Sequence, residues 1–363
     1  MLDRTIPFVR LSPVPEDVQK AVQEVMDSGV FFNGKYSTLF ESSFKKYLSI
    51  DHFIPTANCT DALEIILRAH EIGAGDEVIV PAFTWFSDAS VVQLVGAKPV
   101  FGDVDLTHYG LDISSTEALL GGKTKAIIVP HLFGSTHPEI KQFRQMCDEH
   151  QLLLIEDCAQ AHGSTLNNCL AGTFGHMAAF SFYPTKNLGA LGDAGCIVTN
   201  DAHFSHQYKL WSNHGQQERN NHLQLGRNSR MDEIQAAVLM ARLPYLKQNN
   251  DRRRELAKMY LRELAHLPIA LPEENNGHVY HQFVIRLEKR DALKDFLLSK
   301  GIQTDIHYPT ALSDMDCFQK SVPADCPNAR LVAATILSLP IHPNHEVADV
   351  NYVCQQIKVF FKG

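Results

Sequence analysis

Apolar residues recur at helical spacing over Val14–Gly29 (VPEDVQKAVQEVMDSG), with Gly29 as the stop, and again over Leu39–Leu48. Between them Phe31–Gly34 (FFNG) reads as a turn. A strand-like run, Ile54–Ala57, leads into Asn58, Cys59, Thr60 and Asp61 and then a helix over Ala62–His70. Glu77–Thr84 (EVIVPAFT) has the pattern of a buried strand, and Phe86–Val95 that of a helix packed on it. Strand and helix signals then alternate through Lys98–Val104, Lys125–Phe133, Pro138–His150 and Leu152–Asp157. This alternation predicts βαβ units and an α/β fold on a mostly parallel sheet. Met177–Tyr183 (MAAFSFY) and Cys196–Thr199 add strands, and Asp201–Trp211 adds a helix.

The pattern changes afterwards. Ser212–Asn228 is a long polar loop, a length that usually carries function. Gly226–Asp232 (GRNSRMD) introduces amphipathic helices over Glu233–Leu246 and Arg252–Leu264. From His278 onward the chain predicts strands at Tyr280–Leu287 and Gln303–His307, and helices at Ala292–Lys300, Asn328–Ser338 and Val347–Phe360. That is an α+β unit. The domain boundary is expected near Lys247, giving a large domain over 1–246 and a smaller one over 247–363, with the N-terminal segment free to pack on the smaller one.

At 363 residues, 45% hydrophobic and 20% charged, the chain has the size and composition for two such globular domains. Its net charge of -8 and lack of a long basic run argue against nucleic acid as a partner. Eight scattered cysteines without a Cys-x-x-Cys pair fit reduced thiols. Met1–Arg10 lacks the basic-then-apolar order of an export signal, and no apolar run nears the roughly 20 residues of a membrane span. A cytoplasmic protein without membrane contact is the expectation.

The candidate chemistry centres on Lys186. It sits between the aromatic strand end MAAFSFY and the glycine-broken run Asn187–Gly195. A surface lysine is the ordinary outcome for such a residue; burial would lower its pKa and free its lone pair for Schiff-base work. A second candidate is Asp157, where the strand LLLI runs into Glu156-Asp157-Cys158-Ala159-Gln160-Ala161-His162-Gly163. A carboxylate at such a strand end needs a cationic or hydrogen-bonding partner, either a neighbouring arginine or the protonated ring nitrogen of a pyridine. Gln160 and His162 add an amide and an imidazole. Asn58–Asp61 before a helix makes either an N-cap or an anion site. Trp85 lies at the C-terminal end of a strand, where ligands bind in open α/β sheets.

Other chemistries lack their motifs. Glycines 189, 192 and 195 have the wrong spacing for a dinucleotide fingerprint, and no Walker loop is present. His203/His206 and His278/His281 lack a zinc ligand set, so no metal is expected. There is no Gly-x-Ser-x-Gly elbow.

IVPAFTW, IEDCAQAHG, SFYPTKNLGALGDAG, GRNSRMDEIQAA and IHYP together resemble the PLP-dependent sugar-nucleotide aminotransferases, the DegT/StrS-type branch of the aspartate aminotransferase superfamily. The resemblance covers nearly the whole chain. It implies PLP fold type I, with a mostly parallel seven-stranded sheet in the large domain, and pyridoxal 5'-phosphate (PLP) as cofactor, cycling through its amino form, PMP. Lys186 matches the Schiff-base lysine, and Asp157 the pyridine-nitrogen partner. Gln160 resembles the residue beside the ring oxygen and Trp85 the aromatic stacked on the ring. Ser181, Thr60 and the backbone N–H of Asp61 resemble phosphate ligands. Asn228 is similar to the asparagine that reaches the neighbouring subunit's phosphate, which implies a homodimer with shared active sites. His162, Tyr183, His307 and Tyr308 are the expected substrate contacts.

The reaction so implied moves an amino group from L-glutamate to a keto sugar nucleotide, feeding synthesis of an amino sugar such as those of lipopolysaccharide O-antigens. The dehydratase cousins carry histidine in place of the lysine. NLGALGDAG and His307-Tyr308-Pro309 look most like the branch acting on dTDP-linked 3-keto-6-deoxyhexoses. The chain departs from the pattern at Thr310–Asp314, where Ile-Pro and a second histidine are common, and at Cys59, often glycine. A 4-keto sugar nucleotide aminotransferase and a non-catalytic PLP-binding regulator are the alternatives.

Overall fold

The computed structural model describes residues 5–10, 14–319 and 324–362. Seven strands form one sheet: β1 (His52–Thr56), β2 (Glu77–Pro81), β3 (Lys98–Gly102), β4 (Thr124–Pro130), β5 (Leu153–Asp157), β6 (Met177–Ser181) and β7 (Gly195–Thr199). Their spatial order is β1-β7-β6-β5-β4-β2-β3, and only β7 runs against the others. The central strands are apolar throughout because helices cover both faces, so neither side of the ribbon meets water. Six strands therefore end along one edge, and Asp157 and Ser181 are the last residues of β5 and β6.

The first helix, Glu16–Ser28, stops at Gly29 in the left-handed region (φ 66°), as its spacing predicts. The two helices expected at Glu233–Leu246 and Arg252–Leu264 begin and end differently. The first closes at Arg242, a short 3₁₀ turn follows, and a 19-residue helix runs over Leu246–Leu264. Leu246 packs into the core around Phe40, Phe44 and Phe182, whereas Leu256, Tyr260 and Leu264 enter a second core with Phe283, Leu297 and Ile357. Ile6 also joins this second core and bridges Ile302.

Two readings of the C-terminal part need correction. Asn328–Ser338 is not one helix: the helix Pro327–Thr335 gives way to β8's partner. That pair consists of β8 (Phe283–Arg286) and β9 (Ile336–Leu339), antiparallel and fully in register. A four-residue apolar run fits either period, and only the distant Phe283–Arg286 decides it. Gln303–His307 forms no strand either; it contributes one isolated bridge, Asp305 to Ser338. Among the described residues no helix is long and apolar enough to cross a membrane.

Candidate active site

The site is built at the C-terminal edge of the parallel strands. Asp157 closes β5 with 7% of its surface exposed. Its Oδ1 accepts the Ala159 N–H at 2.7 Å and lies 3.8 Å from the Cys59 thiol. Lys186 stands in the loop after β6, half-buried. Burial pushes its amine below the ordinary lysine value, and the carboxylate of Asp157, then Cys59, offset part of that fall. A lysine so placed has a lone pair more available than any surface lysine does.

The lysine loop is pinned from outside. Asn187 donates to Asn250 Oδ1 (2.8 Å) and to the Val279 carbonyl (3.1 Å), while its own Oδ1 meets His281 Nδ1 at 3.1 Å. Arg242 donates to the Gly189 carbonyl at 2.6 Å. A Cβ on Gly189 would sit 2.5 Å from the Pro184 carbonyl oxygen, so the turn closes only with glycine.

A helix start lies close against the sheet beside it. Ser181 pairs in register with Gly195, and Gly195 pairs with Thr56 on the other side. A Cβ on Gly195 would stand 2.5 Å from the Asn58 carbonyl carbon and 2.7 Å from the Cys59 nitrogen. The missing side chain lets the helix Cys59–Ala69 start hard against the sheet, next to Ser181. The expected N–H of Asp61 is not free: it donates to Asn58 Oδ1 at 2.8 Å, the N-cap bond. The Asp61 carboxylate is engaged as well, with Arg227 at 3.0 Å. The uncapped first-turn N–H groups belong to Cys59 and Thr60, which lack intrahelical acceptors. The Thr60 hydroxyl meets Ser87 Oγ at 2.8 Å.

Gln160 bridges rather than dangles. Its Oε1 accepts the Phe133 N–H at 2.6 Å and its Nε2 donates to the Tyr308 hydroxyl at 2.9 Å. Tyr308 in turn lies 5.6 Å from the ring of Trp85, which is 55% exposed. His307 is held by Ser338 Oγ at 2.9 Å and stacks on Phe8. Tyr183 is exposed beside the lysine.

His162 and Asn228 stand in opposite surroundings. His162 is 1% exposed and packs against Phe180 and Phe182. Burial first, and the Lys186 amine second, drop its pKa to about 3, so the ring is neutral. Asn228 is exposed and lines an open cleft of about 350 Å³ with Phe32, Asp193 and Arg230. His131, Glu156 and Cys158 bring ligand atoms within 4.8 Å of one another. Glu156 is already filled by His131 and three backbone N–H groups, so that cluster is a closed hydrogen-bond network.

These residues fit a pyridine cofactor with a phosphate arm: a depressed amine, an acceptor at the strand end, and a glycine-lined helix start next to a serine. The model of the DegT/DnrJ/EryC1/StrS aminotransferase family matches residues 14–358. The chain belongs to this family. A DegT/DnrJ/EryC1/StrS relative from Acidithiobacillus ferrooxidans, a UDP-N-acetyl-3-dehydro-alpha-D-glucosamine 3-aminotransferase, is 40% identical over 99% of this chain and 98% of its own. The dTDP-3-amino-3,6-dideoxy-alpha-D-galactopyranose transaminase of Aneurinibacillus thermoaerophilus is 37% identical over 97% and 98%. Among solved structures, S. venezuelae DesV in complex with a ketimine intermediate superposes with a TM-score of 0.94 at 36% identity, covering 98% of each chain.

Proposed function

We propose that this family member is a PLP-dependent aminotransferase that moves an amino group from L-glutamate to the keto carbon of a sugar nucleotide, at C3 of the sugar. The observation that carries the reading is Lys186: a half-buried amine, lowered in pKa, set in the field of Asp157 at the strand end. Bound PLP supplies an aldehyde and an electron-withdrawing ring. Lys186 is the amine that would hold that aldehyde and, when free, would take and return a proton. Asp157 would meet the ring nitrogen, and its charge would favour the protonated form there. Ser181, Thr60 and the N–H groups of Cys59 and Thr60 hold the phosphate, with the helix dipole behind them. Trp85 and Gln160, the latter fixed by Phe133 and Tyr308, would help to hold the ring.

Tyr183, His307 and Tyr308 face the sugar nucleotide in this reading. Exposed Phe31, Phe32, Trp85 and Leu225 favour a homodimer in which Asn228 serves the neighbouring subunit's phosphate. The PLP-binding domain spans 1–246 and the smaller domain 247–363, divided where the helix Leu246–Leu264 begins. Similarity to a relative acting on a UDP sugar supports a UDP-linked 3-keto substrate as a second reading beside the dTDP-linked one.

The purified protein is expected to carry a visible absorbance band that L-glutamate bleaches. Lys186→Ala is expected to lose both band and turnover; colour and turnover surviving in that variant would sink the assignment. A panel of dTDP- and UDP-linked 3-keto and 4-keto sugars, with the product amine located by NMR, separates the substrate readings.

A further inference from the structure

Next to Asp157 lies a second carboxyl group with no part in the chemistry above. Asp88 stands in the first turn of the helix Ser87–Leu94 and is 0% exposed. Its Oδ2 accepts the Thr84 hydroxyl at 2.6 Å. Its Oδ1 is buried without any donor. The group it meets is the carboxyl of Asp157, so an acceptor faces an acceptor. Cys59 and Tyr308 complete the titratable surroundings, and burial pushes both of them up, which keeps them neutral. The nearby cation, Lys186, acts on Asp157 and Cys59; among the described residues no cation is set against Asp88.

Two ionised carboxylates in contact and out of water repel strongly, and a single proton between them removes the conflict. We infer that Asp88 is a neutral carboxylic acid that donates a hydrogen bond from Oδ1 to Asp157 and thereby orients the carboxylate serving the cofactor ring. The rest of the geometry agrees. Oδ2 is the acid's carbonyl oxygen, and it receives the Thr84 proton. Burial first, and Asp157 second, push the Asp88 carboxyl well above the usual carboxylate range. Asp157 then has the Ala159 N–H, the Cys59 thiol and the Asp88 acid around it. A carboxylate has about four lone-pair directions, so one is left for a ring N–H. Asp88 is thus a positioning residue that acts through Asp157.

The inference rests on the PLP site proposed above, and its tests separate the two. Infrared difference spectra of the full-length protein at neutral pH, with and without PLP, are expected to contain the carbonyl stretch of a protonated carboxylic acid that Asp88→Asn removes. The spectrum without PLP tests the acid even in a protein that binds no cofactor. With PLP, Asp88→Ala is expected to weaken cofactor binding about tenfold, the value of one hydrogen bond to a charged group. It is also expected to move the pH at which the cofactor band changes. Asp88→Asn keeps an N–H donor for Asp157 and an oxygen for Thr84, and is expected to restore both readouts. The proposal is overturned by a missing acid band, by Asn behaving as badly as Ala, or by Ala leaving affinity and band unchanged.

Discussion

Glu156 and Asp157 are consecutive on one strand, face opposite sides of the sheet, and live in opposite surroundings. Glu156 receives His131 Nε2 at 2.7 Å and the N–H groups of Gly172, Phe174 and Gly175 at 2.6–2.8 Å. Every lone-pair direction is taken. Asp157 has one backbone donor and a thiol, with Lys186 and Asp88 around it. The difference separates two uses of a buried carboxylate: the saturated one ties loops to the sheet, and the unsaturated one has capacity left for a ligand.

The sharpest way to break this contrast is Glu156→Ala. It strands His131 and three backbone donors in the core and is expected to cost about 3–5 kcal/mol of stability in urea unfolding, with turnover per folded molecule retained. Asp157→Asn should do the reverse, lowering kcat/KM on the order of 10²–10³-fold while the unfolding midpoint barely moves. Equal behaviour of the two variants would erase the distinction.

Acid sharpens it further, because the closed side of the sheet stores neutral histidines. His162 and the equally buried His278 have folded pKa values lowered to about 3, against about 6.5 when unfolded. The unfolded chain therefore binds their protons first. Their contribution is intact above pH about 6.5 and is lost as pH falls towards about 3, by on the order of 1.4 kcal/mol per pH unit for each ring. Urea midpoints at pH 7 and 5 measure this, and His162→Phe is expected to flatten the slope by one ring's share. The smallest effect belongs to Asn187→Ala. It frees the lysine loop from Asn250, Val279 and His281 and is expected to reduce kcat by a factor of about 5–10, near 1 kcal/mol, with the fold unaffected.

Asp157 is legible in the sequence because it closes a strongly apolar strand, where a polar residue demands a reason, and Lys186 because it stands between an aromatic strand end and a glycine-broken run. The alternation that predicts the parallel sheet is equally local. The rest depends on partners that the sequence keeps far away. Ile336–Leu339 becomes a strand only because Phe283–Arg286 lies beside it. Asp61 loses its free N–H to Asn58, the plain N-cap that the stretch by itself favours and that the family resemblance sets aside for an anion site. Asp88 in SDAS looks like an exposed first-turn acid; Thr84 and Asp157 bury it from other elements. His162 shares a motif with Asp157 and Gln160 yet points into the aromatic core.

The long helix Leu246–Leu264 has a mechanical consequence. Rooted at Leu246 in one core and embedded through Leu256–Leu264 in the other, it is a rod of about 28 Å at 1.5 Å per residue. A tilt of about 2° about its base carries the far tip through about 1 Å. Asn250, which grips Asn187, stands only about 6 Å from that base and moves about a fifth as far. The lysine loop is thus moored close to the end of the rod that is rooted in the sheet core, where a small tilt displaces it least.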